Sequence, residues 1–309
     1  MKITLPYKIN KNSTIGVFTP SEPITPKREE RLIRNINYLK SCGFQVKTSK
    51  NYKSTYFYMS GTVDQRVKDI SSLLNDDNVH ILMASWGGKS SSQLIKHIDY
   101  NLIRKKRKPI TAFSDGTLIL NAIFSQTGLI SFVGPNVVGK LDESKWSDLK
   151  HLQRGMYMVK ILNKNNIDKI ISHGKAKGRL VGGNLSTFTL GLVGTKYMPN
   201  IENMIFFWES GSASPQILDQ YLTLLDNCGF LSKLSGMVVG TMEFCVDEKW
   251  NYRSPFEIIS DILKKYNIPI IQTESFGHGN RENPIFPIGA LCEIDTSSPS
   301  MTVIEKILE

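Results

Sequence analysis

The chain has 309 residues, a length that predicts one large or two medium-sized domains. Hydrophobic residues make up 40% and charged residues 21%, as in soluble globular proteins, and no apolar run approaches the roughly 20 residues of a membrane-spanning helix. The formal net charge of +10 raises the hypothesis of nucleic-acid binding. However, the densest basic run, residues 104–108, precedes a predicted strand and has no zinc-finger spacing or aromatic RNA-binding motif beside it. We therefore expect no nucleic-acid partner and no membrane partner.

The cysteines and the N-terminal residues indicate the cellular compartment. The N-terminal segment has no long apolar stretch before a small-residue cleavage site, so we expect no secretion signal. The cysteines are far apart and form no Cys-x-x-Cys pair, which favours reduced thiols over a zinc site or a disulfide framework. They are Cys42, Cys228, Cys245 and Cys292. We expect a cytoplasmic protein without a bound metal.

Predicted strands and helices alternate through about residue 125. One helix is predicted after Thr25 as its N-cap, with Pro26 in the first turn and Gly43 beyond its end. A second helix begins with the capping-box pattern of Thr62 and Gln65. Strands are predicted at 13–20, 44–49, 79–85 and 109–115, with a helical segment at 86–98. This alternation predicts a parallel sheet that is covered on both faces by helices.

After about residue 135 the pattern changes to short strands mixed with helices. A connecting helix is predicted at 147–162, and another helix follows Ser214 as N-cap, with Pro215 in its first turn and Gly229 beyond its end. Short strands are predicted at 204–210, 234–242, 269–275, 286–295 and 300–307. We therefore predict an N-terminal α/β domain (1–135), a connector (136–170) and a smaller, mixed α+β C-terminal domain (171–309). A cleft between two packed domains is a common ligand site.

Ser114 lies at the carboxyl end of a predicted strand, immediately before a predicted helix. Reactive groups collect at the carboxyl ends of strands in doubly wound sheets, and a helix N-terminus stabilises negative charge. The position resembles a nucleophile elbow, although the local sequence Ala-Phe-Ser-Asp-Gly differs from Gly-x-Ser-x-Gly. Serine is also a common N-cap, and these residues alone do not exclude that simpler role.

A nucleophilic serine requires a base and an acid that orients the base. His278 is the best candidate base because glycines on both sides free the backbone to direct the ring, although it could also be an exposed loop histidine. The other histidines lie at predicted surface or packing positions: His80, His97, His151 and His173. Glu209 follows a buried strand and is the candidate acid, unless it is solvated at the edge of the sheet.

Two backbone N–H groups are candidate oxyanion donors. Asp115 adjoins Ser114, so we expect its N–H to matter more than its side chain. The second donor is the N–H of Gly88, in the Trp86-Gly87-Gly88-Lys89 segment that follows the preceding strand. An ordinary glycine turn would account equally well for that segment.

Five segments resemble, in the same order, the LD-carboxypeptidase family of serine peptidases, which includes the microcin C immunity proteins. They are residues 84–103, 108–120, 178–188, 205–222 and 276–290, and the resemblance extends from about residue 14 to about residue 295. It implies an N-terminal α/β domain resembling class I glutamine amidotransferases, a smaller C-terminal domain and a cytoplasmic homodimer. It also implies a Ser114–Glu209–His278 triad that hydrolyses an amide bond without a metal or organic cofactor.

The resemblance leaves the substrate open. It implies a small peptide or an aminoacyl conjugate, such as murein L,D-tetrapeptide or a microcin-C-like peptidyl nucleotide. Asn184 occupies a family position near the substrate, although it could simply be a turn residue after two glycines. Trp86 stands where murein enzymes often have arginine, and Ala213 where immunity proteins have a lysine that contacts the nucleotide. The alternative function is a non-catalytic small-ligand or peptide-binding protein on the same scaffold.

Overall fold

Two β-sheets form the framework of the protein. The computed structural model describes residues 2–139, 152, 158–211, 213–242, 254–279 and 281–309. In this part of the chain the first sheet has six strands and the second has eight. The strands of the first half are β1 (Thr14–Phe18), β2 (Gln45–Thr48), β3 (Ile81–Ala84), β4 (Ile110–Ala112) and β5 (Ser131–Val133). The helices between them are α1 (Pro26–Ser41), α2 (Val63–Asn75), α3 (Tyr100–Lys106) and α4 (Thr117–Thr127).

The second half of the chain adds strands to both sheets. Its strands are β6 (Val159–Leu162), β7 (Lys169–Ser172), β8 (Lys175–Asn184), β9 (Met204–Glu209), β10 (Leu234–Val239), β11 (Ile270–Gln272), β12 (Phe286–Ile288), β13 (Leu291–Asp295) and β14 (Ser300–Val303). Its helices are α5 (Leu185–Gly191), α6 (Pro215–Asn227) and α7 (Pro255–Leu263). The strand order is β12-β5-β4-β3-β1-β2 in the first sheet and β6-β14-β13-β8-β9-β10-β11-β7 in the second. Strands β8 to β11 run parallel, and β6, β13, β14 and β7 pair antiparallel at the two sides. The predicted α/β class with a mixed second sheet is confirmed.

The helix starts follow the capping signals in the sequence. The side chain of Thr25 accepts a hydrogen bond from the Arg28 N–H at the start of α1, and Thr62 and Gln65 form a complete capping box at the start of α2. Ser214 caps α6 in the same way. These three predicted helices are confirmed. None of the helices in the described ranges is long and apolar enough to cross a bilayer.

Two predictions from the sequence were wrong, and a third is only partly described. The segment 286–295 is not one strand: β12 pairs with β5 in the first sheet and β13 pairs with β8 in the second, and Gly289 separates them with a φ of +90°. Residues 86–98 form no α-helix but a short 3₁₀ turn at Ser91–Gln93 followed by turns, so His97 is not helical. Of the predicted connecting helix, the described residues 159–162 form strand β6, and most of the rest lies outside the described residues.

A buried amide joins helix α4 to the second sheet. Asn121 on α4 is fully buried; its Nδ2 donates to the Gly182 carbonyl (2.7 Å) and its Oδ1 accepts from the Gly182 N–H (3.1 Å). Both polar ends of the side chain are therefore satisfied by one residue of strand β8. This pair fixes the helix that follows Ser114 against the sheet that carries Glu209.

The glycine at this junction provides a test of the packing. Gly182 has a φ of +135°, and a Cβ added there would overlap the Phe207 carbonyl, whereas Gly194 has a φ of +78° with no other atom within 4 Å of such a Cβ. We predict that Gly182→Ala lowers the free energy of unfolding by at least about 3 kcal/mol and that Gly194→Ala lowers it by about 1–2 kcal/mol. Both substitutions restrict the unfolded chain equally, so chemical denaturation of the pair isolates the steric contribution. Equal losses would contradict the proposed close approach of β8 and β9.

Candidate active site

Ser114 lies on a strained turn between β4 and α4. Its φ of +58° falls in the left-handed region, which serine rarely adopts, and such strain is concentrated at functional turns. A Cβ at Gly116 would lie 2.6 Å from the Ala112 Cβ, so the tight turn requires glycine two residues after the serine. The N–H of Phe113 donates to the Oδ1 atom of Asn136 (3.0 Å), which fixes the backbone just before the turn. The geometry is that of a nucleophile elbow, with the serine raised at the end of a central strand.

The side chains of His278 and Glu209 continue from Ser114 in one hydrogen-bonded chain. The His278 Nε2 atom lies 3.1 Å from the Ser114 Oγ atom, and its Nδ1 atom lies 2.6 Å from the Glu209 Oε2 atom. The Phe113 ring packs 5.1 Å from the imidazole, centroid to centroid. A Cβ at Gly211 would lie 2.5 Å from the His278 Cγ atom, so the loop after β9 passes directly against the ring. The fold thus brings together the three side chains that the sequence singled out; their catalytic roles remain predictions.

Glu209 is fully buried at the end of β9, and it has a second partner. Its Oε1 atom accepts a hydrogen bond from the Asn184 Nδ2 atom (2.9 Å). The Oδ1 atom of Asn184 accepts from the Thr187 N–H (3.1 Å) and the Ser186 hydroxyl (2.7 Å), and so caps α5. Asn184 therefore faces the acid and the helix start, and it is not among the residues that line the cavity beside Ser114. The expected contact of Asn184 with substrate remains a prediction.

The backbone of the elbow is tied to the same network. The Thr117 hydroxyl donates to the Ser114 carbonyl (2.7 Å) and accepts from the Asn184 N–H (3.3 Å). The contacts therefore close into a ring that runs through Thr117, Asn184, Glu209 and His278 and returns to Ser114. Because the ring crosses from the first sheet to the second, it fixes the distance between the hydroxyl and the imidazole.

The side chain of Asp115 has a role that sequence reasoning missed. Its Oδ2 atom accepts hydrogen bonds from the Ser21 hydroxyl (2.6 Å), the Ser90 N–H (3.0 Å) and the Ser91 N–H (2.9 Å). The Ser91 hydroxyl also donates to the Asp115 carbonyl (2.7 Å). The carboxylate therefore holds the loop that contains Gly88 against the turn of the nucleophile. No local signal in the sequence indicated this, because the partners lie 24 or more positions away.

The orientation of the Gly87–Gly88 peptide bears on the predicted oxyanion donors. The Gly87 carbonyl accepts from the Glu22 N–H (3.2 Å), and because a peptide group is planar and trans, the Gly88 N–H points the opposite way. Gly88 has a φ of +146°, and a Cβ there would lie 2.6 Å from the Glu22 Cγ atom. Gly87 lines the cavity whereas Gly88 does not. The donor roles of the Gly88 and Asp115 N–H groups remain predictions.

The side chain of Arg66 also holds the loop that contains Gly88 and Ser90. Its guanidinium is almost completely buried and donates to the Pro20 carbonyl (2.8 Å), the Ser90 hydroxyl (3.1 Å) and the Gln93 side chain (2.6 Å). Burial lowers the pKa of Arg66, and the nearby Asp115 carboxylate acts in the opposite direction. A buried cation and a buried carboxylate therefore share this loop, each with several hydrogen bonds.

A cavity of about 470 Å³ opens beside the hydrogen-bonded chain. Ser114 and His278 lie on its wall together with Trp86, and two side chains of helix α1, Arg31 and Arg34, complete another part of the lining. Within the described ranges, no group of three or more His, Cys, Asp or Glu side chains is arranged to hold a metal ion.

Two residues that the sequence left unexplained lie away from this cavity. Trp208 is fully buried, and its Nε1 atom donates to the Met237 Sδ atom (3.3 Å); alternation along β9 directs it to the face opposite Glu209. Ala213 is buried directly before Ser214, the N-cap of α6. Both side chains therefore contribute to packing, and neither lines the cavity.

A serine on a strand-to-helix elbow that hydrogen-bonds a histidine, itself held by a buried carboxylate, defines the serine hydrolase class. Within that class, the chain belongs to the LD-carboxypeptidase family. The family's N-terminal domain matches residues 15–134 and its C-terminal domain matches residues 177–294. By class the protein is thus a serine carboxypeptidase.

Relatives from several bacteria are similar over most of their length. A putative carboxypeptidase of Vibrio cholerae is 32% identical over 83% of this chain and 84% of its own. The microcin C7 self-immunity protein MccF of Escherichia coli is 28% identical over 96% of this chain and 94% of its own. A probable murein peptide carboxypeptidase of Bacillus subtilis is 28% identical over 98% of this chain and 95% of its own.

Solved structures have the same fold. The structure of MccF in complex with glutamyl sulfamoyl guanosine superposes with a TM-score of 0.87 at 27% identity, covering 99% of both chains. An MccF-like protein from Bacillus anthracis superposes with a TM-score of 0.85 at 28% identity, covering 97% of this chain and 99% of the other. The expected likeness to class I glutamine amidotransferases is not shown by these comparisons and remains a prediction.

The role of the Asp115 side chain can be tested by Asp115→Asn. Removing the charge weakens three hydrogen bonds at once, so we predict a loss of about 1–3 kcal/mol in the free energy of unfolding, measured by chemical denaturation. Asp64→Asn, an exposed position in the first turn of α2, is the control and is expected to cost less than about 1 kcal/mol. If both variants unfold at the same denaturant concentration, the carboxylate does not hold the loop.

Proposed function

We propose that the protein hydrolyses an amide bond in a small peptide or aminoacyl conjugate with Ser114, His278 and Glu209 as its catalytic triad. The observation that carries the proposal is the pair of distances in the hydrogen-bonded chain: 3.1 Å from the Ser114 Oγ atom to His278 and 2.6 Å from His278 to Glu209. Both lie within the range in which a base can take a proton from a hydroxyl and be oriented by a carboxylate.

Each side chain has a distinct role in the proposed reaction. The Ser114 Oγ atom attacks the substrate carbonyl while the His278 Nε2 atom takes its proton, and the imidazolium then donates that proton to the leaving amine. Glu209 holds the Nδ1–H and stabilises the imidazolium. The N–H groups of Gly88 and Asp115 are the proposed oxyanion donors, and one such donor contributes about 3 kcal/mol in other hydrolases. In the second half of the reaction, water attacks the carbonyl of the acyl group while His278 takes a proton from the water, and His278 returns that proton to the Ser114 Oγ atom as the acyl–serine bond breaks.

Asn184 is proposed to position the acid rather than to bind the substrate. Its Nδ2 atom donates to the Oε1 atom of Glu209, the oxygen that His278 does not use. This leaves both oxygens of a fully buried carboxylate with a partner, as a buried charge requires. The amide therefore favours a single orientation of the carboxylate.

The proposed substrate rests on the family and on two positions at which this chain differs from its relatives. Among the relatives, MccF has been solved with aminoacyl sulfamoyl nucleosides, and the Bacillus subtilis protein is a probable murein peptide carboxypeptidase. The buried Ala213 offers no cation to a nucleotide, which disfavours an aminoacyl nucleotide as the substrate. Trp86, where murein enzymes often have arginine, differs from the pattern of the murein peptide carboxypeptidases. Murein L,D-tetrapeptide and an aminoacyl-sulfamoyl nucleoside are therefore the two substrates to compare.

A cytoplasmic location and a homodimeric assembly are also part of the proposal. They rest on the family resemblance. The cysteines in the described part of the chain are all unpaired thiols, which accords with a reducing compartment: Cys42, Cys228 and Cys292.

Hydrolysis should depend on the triad and not on other histidines. We predict that Ser114→Ala and His278→Ala lower kcat by about 10,000-fold or more, because the first lacks the nucleophile and the second lacks the base that takes its proton and donates it to the leaving amine. His173→Ala, at an exposed loop position, is expected to retain wild-type activity. The measurement is mass spectrometry of murein tetrapeptide and of an aminoacyl-sulfamoyl adenylate after incubation with each protein.

Two outcomes would contradict the catalytic proposal. If Ser114→Ala cleaves either compound as fast as the wild type, the serine is not the nucleophile. If the wild type cleaves neither compound but binds one of them, the alternative of a non-catalytic binding protein on the same scaffold is favoured.

The positioning role of Asn184 predicts a separation of kcat from KM. In Asn184→Ala the Oε1 atom of Glu209 loses its donor, so we expect kcat to fall about 10- to 100-fold with KM within about threefold of the wild type. Ser186→Ala removes a neighbouring hydroxyl that contacts only the other end of the amide, and it is the control, with kcat near that of the wild type. A rise in KM with unchanged kcat in Asn184→Ala would instead indicate direct contact with the substrate.

A further inference from the structure

We propose that Arg31 and Arg34 form a subsite that binds a carboxylate of the substrate. This inference rests on the proposed function and extends it, because it specifies the chemical class of peptide that the cavity accepts. The argument depends on where helix α1 lies, on which of its arginines are already paired and on the charges around the cavity.

Helix α1 is fixed against the cavity by a buried amide. The Nδ2 atom of Asn35 donates to the Val137 carbonyl (2.6 Å) and to the Gly139 carbonyl (2.9 Å), in the loop after β5. Gly139 lines the cavity, as do Arg31 and Arg34. Residues three apart lie on the same face of a helix, so both arginines project from the anchored helix towards the same opening.

The arginine one turn earlier differs from these two because it already has partners. Arg28 forms an ion pair with Glu22 (2.6 Å), and its guanidinium lies 4.9 Å from the ring centroid of Trp86. Arg31 and Arg34 are exposed, and neither has an ion pair or a hydrogen bond to any described residue. Within the described part of the chain, no partner therefore occupies the donors of these two cations on the cavity wall.

The described lining of the cavity is free of acidic side chains. No aspartate or glutamate is among the described residues that line it, and Glu209 is completely buried behind His278. A concave surface lined by one sign of charge concentrates ligands of the opposite sign. The planar guanidinium donates two parallel hydrogen bonds, a geometry that fits a carboxylate. The cavity is thus suited to a substrate that carries at least one carboxylate.

A carboxylate could reach these arginines from either side of the scissile amide. One source is the free α-carboxylate of the leaving residue, which an exopeptidase must distinguish from a continuing chain. The other is a carboxylate on the acyl portion. Both present the same chemistry to the guanidinium groups, so peptides that lack one carboxylate at a time distinguish the two sources.

The test uses three tetrapeptides of the same sequence that differ only in their carboxylates. One is unmodified, one has a C-terminal carboxamide and one has its acyl-side carboxylate converted to an amide. Binding is measured by calorimetry in the inactive Ser114→Ala background, and kcat/KM is measured with the intact triad. Arg31→Gln and Arg34→Gln are compared with Lys40→Gln, which removes the same charge from the exposed end of the same helix away from the cavity.

We expect each arginine substitution to weaken binding of the unmodified peptide about 10-fold or more and to raise KM more than it lowers kcat. The peptide that lacks the recognised carboxylate should bind equally to the arginine variants and to their parent, which identifies the source. Lys40→Gln should match its parent on all three peptides.

Two results would overturn the subsite. One is a parent protein that binds all three peptides equally well, and the other is a loss in the arginine variants of the same size for every peptide. Failure of the subsite is distinct from failure of the proposed function. If only the subsite fails, the wild type still cleaves the unmodified peptide and Ser114→Ala does not. If the proposed function fails, the wild type cleaves none of the peptides.

Discussion

The site depends on a carboxylate that is completely removed from water. An ionised Glu209 at the end of β9 would be costly to bury unless both of its oxygens were paired, and His278 and Asn184 supply those partners. Each partner comes from a different loop or strand end of the second half of the chain, while Ser114 comes from the first half. The need to satisfy one buried charge therefore fixes the relative positions of the elements that carry the proposed chemistry.

Much of the fold follows from local signals in the sequence. Helices α1, α2 and α6 could be predicted because an N-cap residue, and in two of them a proline in the first turn, determine where each helix begins, and these effects act within a few residues. Ser114, Glu209 and His278 were also accessible to sequence reasoning. Each lies at the carboxyl end of a predicted strand or between glycines, and a parallel fold directs side chains at strand ends to a common edge.

What the sequence could not supply are the contacts set by distant parts of the chain. Nothing near Asp115 indicates that its carboxylate accepts from three donors in two other loops, and nothing near Asn184 indicates that its amide donates to Glu209. The segment around Gly289 looks like one apolar strand because periodicity does not reveal which sheet each half joins. Arg31 and Arg34 resemble ordinary solvent-facing residues until the loop after β5 is brought beside them.

Strand β12 has a consequence for how the molecule is assembled. Residues 286–288 complete the edge of the first sheet by pairing with β5, although the rest of that sheet is encoded before residue 134. During synthesis the edge of β5 therefore stays open until residues 286–288 have emerged, and an open edge is prone to pair with other chains. One strand of the second half thus belongs to the sheet of the first half. A cut between the halves would separate the two sheets and leave β5 as an unpaired edge strand.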